Sequence, residues 1–598
     1  MCGIVGIVSN KEINAENLKA MSDTMVHRGP DGDGLYVGDR FGLAHRRLAI
    51  VDLSDAGKQP MEYLGRYVIT YNGEIYNHPE LRSELEGKGY EFRSHTDTEV
   101  IMAAYDYWGT DCFNRLNGMW AFCIYDSVED HFVLSRDRFG IKPFYFWRDG
   151  ESFLFASEIK ALLAYGRFGK PKANLEYLRS YLREGPNEQG LETAFEGVYK
   201  FSVSSFAVCT REELVEGRVQ EKCYWKVTPN LSSEAFDQKK LERYSSKYKE
   251  LLKDAVRLRL RSDVKVGSAL SGGIDSSSIV GLVNEIQAAE GRSGMQETFS
   301  SVYKSSGTTS CDESEYIDQL AQHLGVHSNQ IEPREEDIPV EHAKMIYHLE
   351  TPPTGTLMSS WHTFKLVGGS DVTVTLDGQG ADEQLAGYDG YITNYIANQK
   401  LGSAISGCAR AGRKMRRRAL KGLVIKVASL IFGKSLSLQL LEKVSRTIRL
   451  QAMPLNQKLA LDLRENLVTL LHYADKTSMA HSVESRMPFM DFRLIEFLFE
   501  VPSSYKFHDG WSKYLSRIAM QEKLPTNILW RREKMGWPIP EDFWFNGGKK
   551  NWLDMTVLGS PFLKKYFTVQ LESYENLNMR EKLNLLNLAV WSETFAIE

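Results

Sequence analysis

Val264-Lys265-Val266-Gly267-Ser268-Ala269-Leu270-Ser271-Gly272-Gly273-Ile274-Asp275-Ser276-Ser277 is an apolar run that ends in glycines and hydroxyls and then opens an apolar helical stretch reaching Ala289. It reads as a strand, a tight loop and a helix. Two glycines let the backbone curl with its N–H groups inward, and the helix N-terminus adds positive potential. Such a loop is built to hold pyrophosphate. It lacks the Gly-Lys-Ser/Thr of a Walker A loop. Downstream, the run Val372–Leu376 leads into Asp377-Gly378-Gln379-Gly380-Ala381-Asp382-Glu383, which carries acids among its glycines. Two strand ends therefore aim their loops at what reads as one site of an α/β domain.

Upstream of residue 200 the texture differs. Short apolar or alternating runs such as Ile4–Val8, Gly42–Ile50, Tyr67–Tyr71, Met119–Tyr125 and Phe132–Ser135 are separated by Gly, Asp and Asn turns, and Asp97–Tyr107 is the clearest helix. That pattern predicts a sheet-rich first domain. Helical periodicity begins at Ala235, which puts the boundary between about 205 and 235: a domain over 2–210 and a second over 235–598. At 598 residues the chain exceeds one hydrophobic core, since a domain holds roughly 100–200 residues.

Hydrophobic residues make up 42%, charged residues 25%, and the formal net charge is −5, so neither a disordered chain nor a nucleic-acid binder is expected. The seven cysteines are scattered and never form a Cys-x-x-Cys pair, which speaks against a disulfide framework or zinc site and for a reducing compartment. The N-terminus has no basic segment ahead of its short apolar run, and no apolar segment reaches membrane-spanning length; a cytoplasmic location is expected. Within a helical, basic insertion at about 400–450, Ala409–Lys426 predicts a basic amphipathic helix; such a helix could meet a membrane surface or a polyanionic acceptor, and the favoured reading is a solvated face without membrane contact.

Cys2 alone would be a small apolar strand residue. Its company changes that: His27-Arg28-Gly29-Pro30-Asp31-Gly32, Ala44-His45-Arg46-Arg47-Leu48, Tyr71-Asn72-Gly73-Glu74-Ile75 and Ser94-His95-Thr96-Asp97 share its domain. With Cys2 these segments resemble the glutaminase domain of class II amidotransferases, the N-terminal-nucleophile (Ntn) family. The resemblance implies an α/β/β/α sandwich with Cys2 as nucleophile, its own α-amino group serving as base once Met1 is removed. It further implies that Asn72 and Gly73 hold the oxyanion, Arg47 pairs with the glutamine α-carboxylate, and Glu74 and Asp97 receive the α-ammonium.

The Ser271–Ser277 loop in turn resembles the PP-loop of ATP pyrophosphatases, a doubly wound α/β fold. Ser478-Met479-Ala480, Glu484, Arg486, Asp491 and Lys534 extend the match to the asparagine synthetase family. The resemblance implies ATP held by Leu270, Ser271, Gly272, Gly273, Asp275, Ser276, Ser301, Asp377 and Gly378. It implies Mg2+ between Asp275 and Asp382, and Lys534 neutralising charge on phosphate oxygens. The implied reaction hydrolyses glutamine and passes ammonia to a carboxylate activated as acyl-AMP, aspartate being favoured. Two departures lie on the acceptor side: Gln379 stands where the family commonly has Glu, and Pro352–Met358 offers no arginine to an acceptor. Another carboxylate, such as a sugar acid or peptide side chain, stays open, as do an amide-forming cyclase, a non-catalytic nucleotide-binding scaffold and a homodimer.

Overall fold

Why the first half reads as dense apolar runs is plain from its burial. Gly3–Ser9 and Ser152–Ala156 are buried along their whole length because each lies inside a sheet covered on both faces. The computed structural model describes residues 2–232, 234–292, 294–431, 446–532, 535–536 and 538–598. Among these, the N-terminal part builds two six-stranded sheets. One runs, in spatial order, Tyr199–Lys200, Tyr145–Arg148, Ser152–Ala156, Gly3–Ser9, Phe41–Arg47, Gly32–Gly38; the other runs Lys222–Cys223, Ser205–Cys209, His131–Arg136, Gly118–Asp126, Tyr67–Ile75, Met61–Tyr63. Neighbouring strands are antiparallel. The edge strand Gly32–Gly38 alternates half-buried with exposed positions, the exposed ones being Asp33, Leu35 and Val37.

Ile4, Val8, Phe41, Leu43, Val68 and Phe132 fill the space between the sheets. Helices His78–Glu86 and Asp97–Trp108 cover one outer face through Leu81, Leu85, Val100 and Ile101. Ala15–Asp23 covers the other through Leu18 and Met21. Each such side chain contributes on the order of 1.5–3 kcal/mol of burial. The result is the α/β/β/α sandwich. Its second sheet continues past residue 210, because Lys222–Cys223 pairs with Ser205–Phe206.

Helix Gln238–Arg259 then opens a five-stranded parallel sheet in the order His327–Ile331, Glu297–Ser301, Val266–Ala269, Val374–Leu376, Glu484–Arg486. Helix Ile274–Ala289 packs on one face and Met358–Gly368 on the other, through Ile279 and Phe364 respectively, so the sheet is doubly wound. Strand order reverses at the neighbours Val266–Ala269 and Val374–Leu376. Ligands of open α/β sheets settle at such a reversal, beyond the carboxyl ends of the strands. The domains share one apolar cluster in which Leu154, Tyr177 and Tyr181 of the first meet Leu349, Trp361 and Trp591 of the second.

The helix expected over Ala409–Lys426 is instead two. Leu401–Arg410 ends where Ala411 turns extended, Met415 and Arg416 fold back on the Gly412 carbonyl, and a second helix runs Arg416–Ile431. The break falls at Ala411, whose ψ of 132° leaves the helical region.

Candidate functional site

Strand register brings the first set of residues together. Gly3 pairs with Arg46, which sets Cys2 beside Arg47 at the end of Phe41–Arg47. Asn72, Gly73 and Glu74 lie on Tyr67–Ile75, opposite Ala121, Trp120 and Met119. A Cβ on Gly73 would sit 2.1 Å from the Met119 carbonyl oxygen, so the strand tolerates nothing larger there. Asp97 opens its helix alongside. Cys2, Arg47, Gly73, Glu74 and Asp97 line one small pocket with Leu48, Gln59 and Thr96. Asn72 stands behind that wall: its Oδ1 accepts from the Cys2 backbone N–H at 3.0 Å, and its Nδ2 reaches Ser157 Oγ at 3.4 Å.

Pocket electrostatics follow from burial. The Cys2 thiol is pushed up by desolvation, against which the Leu48 backbone hydrogen bond works. Asp97 is raised to about 6 by burial, although its carboxylate accepts from Ile75 N at 2.8 Å and Tyr71 Oη at 2.7 Å. Glu74 is raised further, by burial and then by Asp97, with Arg486 opposing from 3.2 Å. Its other oxygen, Oε1, is buried without a hydrogen-bond partner among the described residues. Arg47 donates to the carbonyls of Ser54, at 2.7 Å, and Asp52, which fix its guanidinium at the pocket wall.

The second site lies at the reversal of the parallel sheet, in a cavity of about 560 Å3. Ser271, Gly273, Asp275 and Ser276 from one loop and Asp377, Gly378, Gln379 and Asp382 from the other line it. The loop is laced by its own hydroxyls: Ser276 Oγ lies 3.1 Å from Ser271 Oγ and donates to the Gly273 carbonyl at 3.2 Å. Leu270 and Gly272 shape the loop from outside the cavity wall; Gly272 has φ +67°, and Leu270 is buried in the core. Ser301 departs from expectation. Its hydroxyl donates to the Ser359 carbonyl and meets Thr363 Oγ1, each at 2.8 Å, and it does not line the cavity. Asp377 is raised to about 6 by burial. Lys534 lies outside the described residues.

Asp275 and Asp382 do converge. Lys513 Nζ stands 2.5 Å from Asp275 Oδ2 and 2.6 Å from Asp382 Oδ1. A cation thus already fits between the two carboxylates. Among the described residues no three His, Cys, Asp or Glu side chains form a metal cage. Sequence reasoning missed Lys513, which follows Gly510-Trp511-Ser512 with no motif to mark it. It also missed the ions between the domains: buried Arg28 donates to the Cys2 carbonyl at 3.0 Å and pairs with Glu158 and, across the boundary, with Asp475. Glu484 and Arg486 belong to this interface, where Arg486 joins Glu484 to Glu74. Of Pro352–Met358, no residue lines the cavity; Tyr473, Glu541 and Asn587 hold that segment instead.

A cysteine pocket on an antiparallel sandwich, joined to paired loops at the reversal of a parallel sheet, defines a glutamine-dependent amide-forming ligase. Comparison with known proteins agrees: the family described as "Glutamine amidotransferase domain" matches residues 1–225, and that described as "Asparagine synthase" matches residues 247–591. The chain is 30% identical over 610 residues to asparagine synthetase [glutamine-hydrolyzing] 1 of Bacillus subtilis (strain 168), covering 96% of this chain and 92% of that one. To asparagine synthetase [glutamine-hydrolyzing] 3 of the same organism it is 29% identical, covering 92% and 89%. To amidase chry2 of Gibberella zeae it is 26% identical, covering 92% and 90%. The chain belongs to the asparagine synthase family.

Proposed function

We propose that this enzyme hydrolyses glutamine at Cys2 and delivers the ammonia to a carboxylate activated by ATP, aspartate being the favoured acceptor, with asparagine, AMP and pyrophosphate as products. The observation that carries the first half is the gathering of Cys2, Arg47, Gly73, Glu74 and Asp97 from separate segments around one pocket, with a buried carboxylate oxygen left over. In this reading Arg47 takes the α-carboxylate of glutamine, and Glu74 and Asp97 take its α-ammonium. Removal of Met1 would turn the Cys2 N–H into an α-amino group that accepts the thiol proton. The sulfur attacks the side-chain amide carbon while Gly73 N–H and the Asn72 amide hold the oxyanion. The C–N bond then breaks, ammonia leaves with the proton, and water cleaves the thioester to glutamate.

At the second site, backbone N–H groups of Gly273 and Ser276 at the start of helix Ile274–Ala289 suit ATP phosphates, with Ser271, whose own N–H is held by Ser276 Oγ at 3.2 Å, and Asp377 and Gly378 beside them. Asp275 and Asp382 would hold Mg2+, which supplies charge neutralisation to the phosphates. Lys513, and Lys534 in the family's role, add positive charge where pyrophosphate departs. The acceptor carboxylate oxygen attacks the α-phosphorus, pyrophosphate leaves, and ammonia displaces AMP from the acyl carbon. Gln379, a neutral amide at the cavity wall, orients rather than deprotonates.

A second reading keeps this chemistry and changes the acceptor to a sugar acid or peptide carboxylate. Gln379 and the absence of an arginine in Pro352–Met358 favour it. A cytoplasmic setting accords with cysteines that are all unpaired. Pyrophosphate release from Mg-ATP and glutamine, with and without L-aspartate, tests the proposal with asparagine scored alongside. Aspartate-dependent formation of both products is expected. Cys2→Ala should lose the glutamine reaction and keep the one driven by added ammonia. Glutamine hydrolysis without aspartate-dependent pyrophosphate would overturn aspartate as acceptor.

A further inference from the structure

Helix Arg416–Ile431 buries one side and bares the other. Ala419 and Gly422 face inward, and a Cβ on Gly422 would stand 2.7 Å from the Thr393 carbonyl oxygen, so the helix is seated tightly on Tyr391–Ala397. On the opposite side Leu420, Val424, Val427 and Ile431 recur at helical spacing and form one line. They are 50%, 69%, 40% and 68% exposed, and Ile405 of the neighbouring helix Leu401–Arg410 adds a further residue at 54%. An apolar stripe in water is a face that lacks its partner among the described residues.

Charge identifies that partner. Between Gly390 and Leu441 the chain has no Asp or Glu, yet Arg413, Lys414, Arg416, Arg417, Arg418 and Lys421 crowd one short stretch of a protein whose net charge is −5. On the helix, Arg416 and Arg417 flank the start of the apolar line and Lys421 lies beside it. A soluble polyanion would satisfy the cations and leave the apolar line wet. A second copy of this chain on the same face would bring like charges together. An anionic lipid surface meets both needs: the apolar side chains enter the acyl boundary while the cations pair with headgroups.

We propose that the face built by Leu420, Val424, Val427 and Ile431 with its basic flanks docks reversibly on anionic membrane surfaces. This replaces the sequence reading of the segment as a solvated helix. No helix among the described residues is long and apolar enough to cross a membrane, so the contact is peripheral. Met415 and Arg418, at the foot of the same helix, line the cavity that holds Ser271, Asp275 and Asp382.

Cosedimentation of the full-length protein with phosphatidylcholine vesicles, with and without phosphatidylglycerol, tests this. Binding is expected only with phosphatidylglycerol, and it should weaken at high salt. Val424→Asp combined with Val427→Asp should lower binding about tenfold at an unchanged unfolding temperature, and Val424→Ser with Val427→Ser should lower it without adding charge. Arg416→Ser, Arg417→Ser and Lys421→Ser together should abolish the preference for anionic vesicles. The proposal fails if the wild type sediments equally with both vesicles or with neither. It fails as well if the apolar variants bind vesicles as the wild type does. Retention on immobilised polygalacturonate without vesicle binding would reassign the face to a polyanion. A dimer that the Val424→Asp, Val427→Asp protein loses, again without vesicle binding, would reassign it to a second copy.

Discussion

Asp97 owes its unusual acidity to burial, which favours the neutral acid and raises it to about 6 even against the donors Ile75 N–H and Tyr71 Oη. If Asp97 receives the glutamine ammonium it must be ionised to do so, and the ionised form prevails only above that value. Glutamine affinity should therefore fall about tenfold between pH 7 and pH 5. Calorimetric titration of Cys2→Ala, which binds glutamine without consuming it, reads this directly; a flat profile would remove Asp97 from the site. Asp97, Arg47, Asn72 and Gly73 were legible in sequence as candidates because each sits in a short, recognisable segment, and the fold gathers Arg47, Gly73 and Asp97 at one pocket with Asn72 behind it. The partner of Glu74 was not. Arg486 lies 412 residues away, and nothing local marks a pair formed by folding.

A single loop conformation joins the sheet to the nucleotide-type cavity. Gly272 adopts φ +67°, a region costing a side-chain-bearing residue roughly 1–2 kcal/mol, and an added Cβ would lie 3.0 Å from Tyr316 Cβ. Gly272→Ala should distort the Ser271–Ser276 hydroxyl lacing and lower pyrophosphate release at least tenfold, while glutamine hydrolysis at the distant sandwich stays near normal. Equal loss of both activities would mean global unfolding instead. This element was the most legible of the molecule, since strand, glycines and helix are contiguous in the chain. Ser301 shows the converse: it ends strand Glu297–Ser301, but its hydroxyl bonds to helix Met358–Gly368, a partner that no local motif announces. The basic segment was read as one helix because periodicity passes through Ala411, where the backbone turns.

What aligns the two sites is a belt of buried ions across the domain boundary. Arg28 joins Glu158 to Asp475; Lys142 Nζ lies 3.3 Å from Asp475 and Lys476 Nζ 2.6 Å from Glu350, which also accepts from the backbone N–H groups of Ile159 and Lys160. In sequence these look like surface charges, which is why the interface was invisible while the two-domain plan was clear from texture alone. Burial alone would raise Asp475, yet Arg28, Lys142 and Lys476 hold it below the usual carboxylate range, and Lys160 and Lys476 do the same for Glu350. A carboxyl lowered by folding contributes stability that is present above its unfolded value, about 4, and is lost as pH falls through the lower folded value. The interface should thus be indifferent to pH between 5 and 8 as far as these acids go, and open below about pH 4. Salt should do little at neutral pH, since ions barely screen buried pairs. Asp475→Ala leaves Arg28 and Lys142 facing each other without their shared anion, at a cost of about 3–5 kcal/mol. Its unfolding temperature should drop, and amide formed per glutamine consumed should fall while the ammonia-driven reaction persists. If high salt at pH 7 uncouples the two reactions in the wild type as well as Asp475→Ala does, the belt is a wet surface contact and the domains are held by their shared apolar cluster alone.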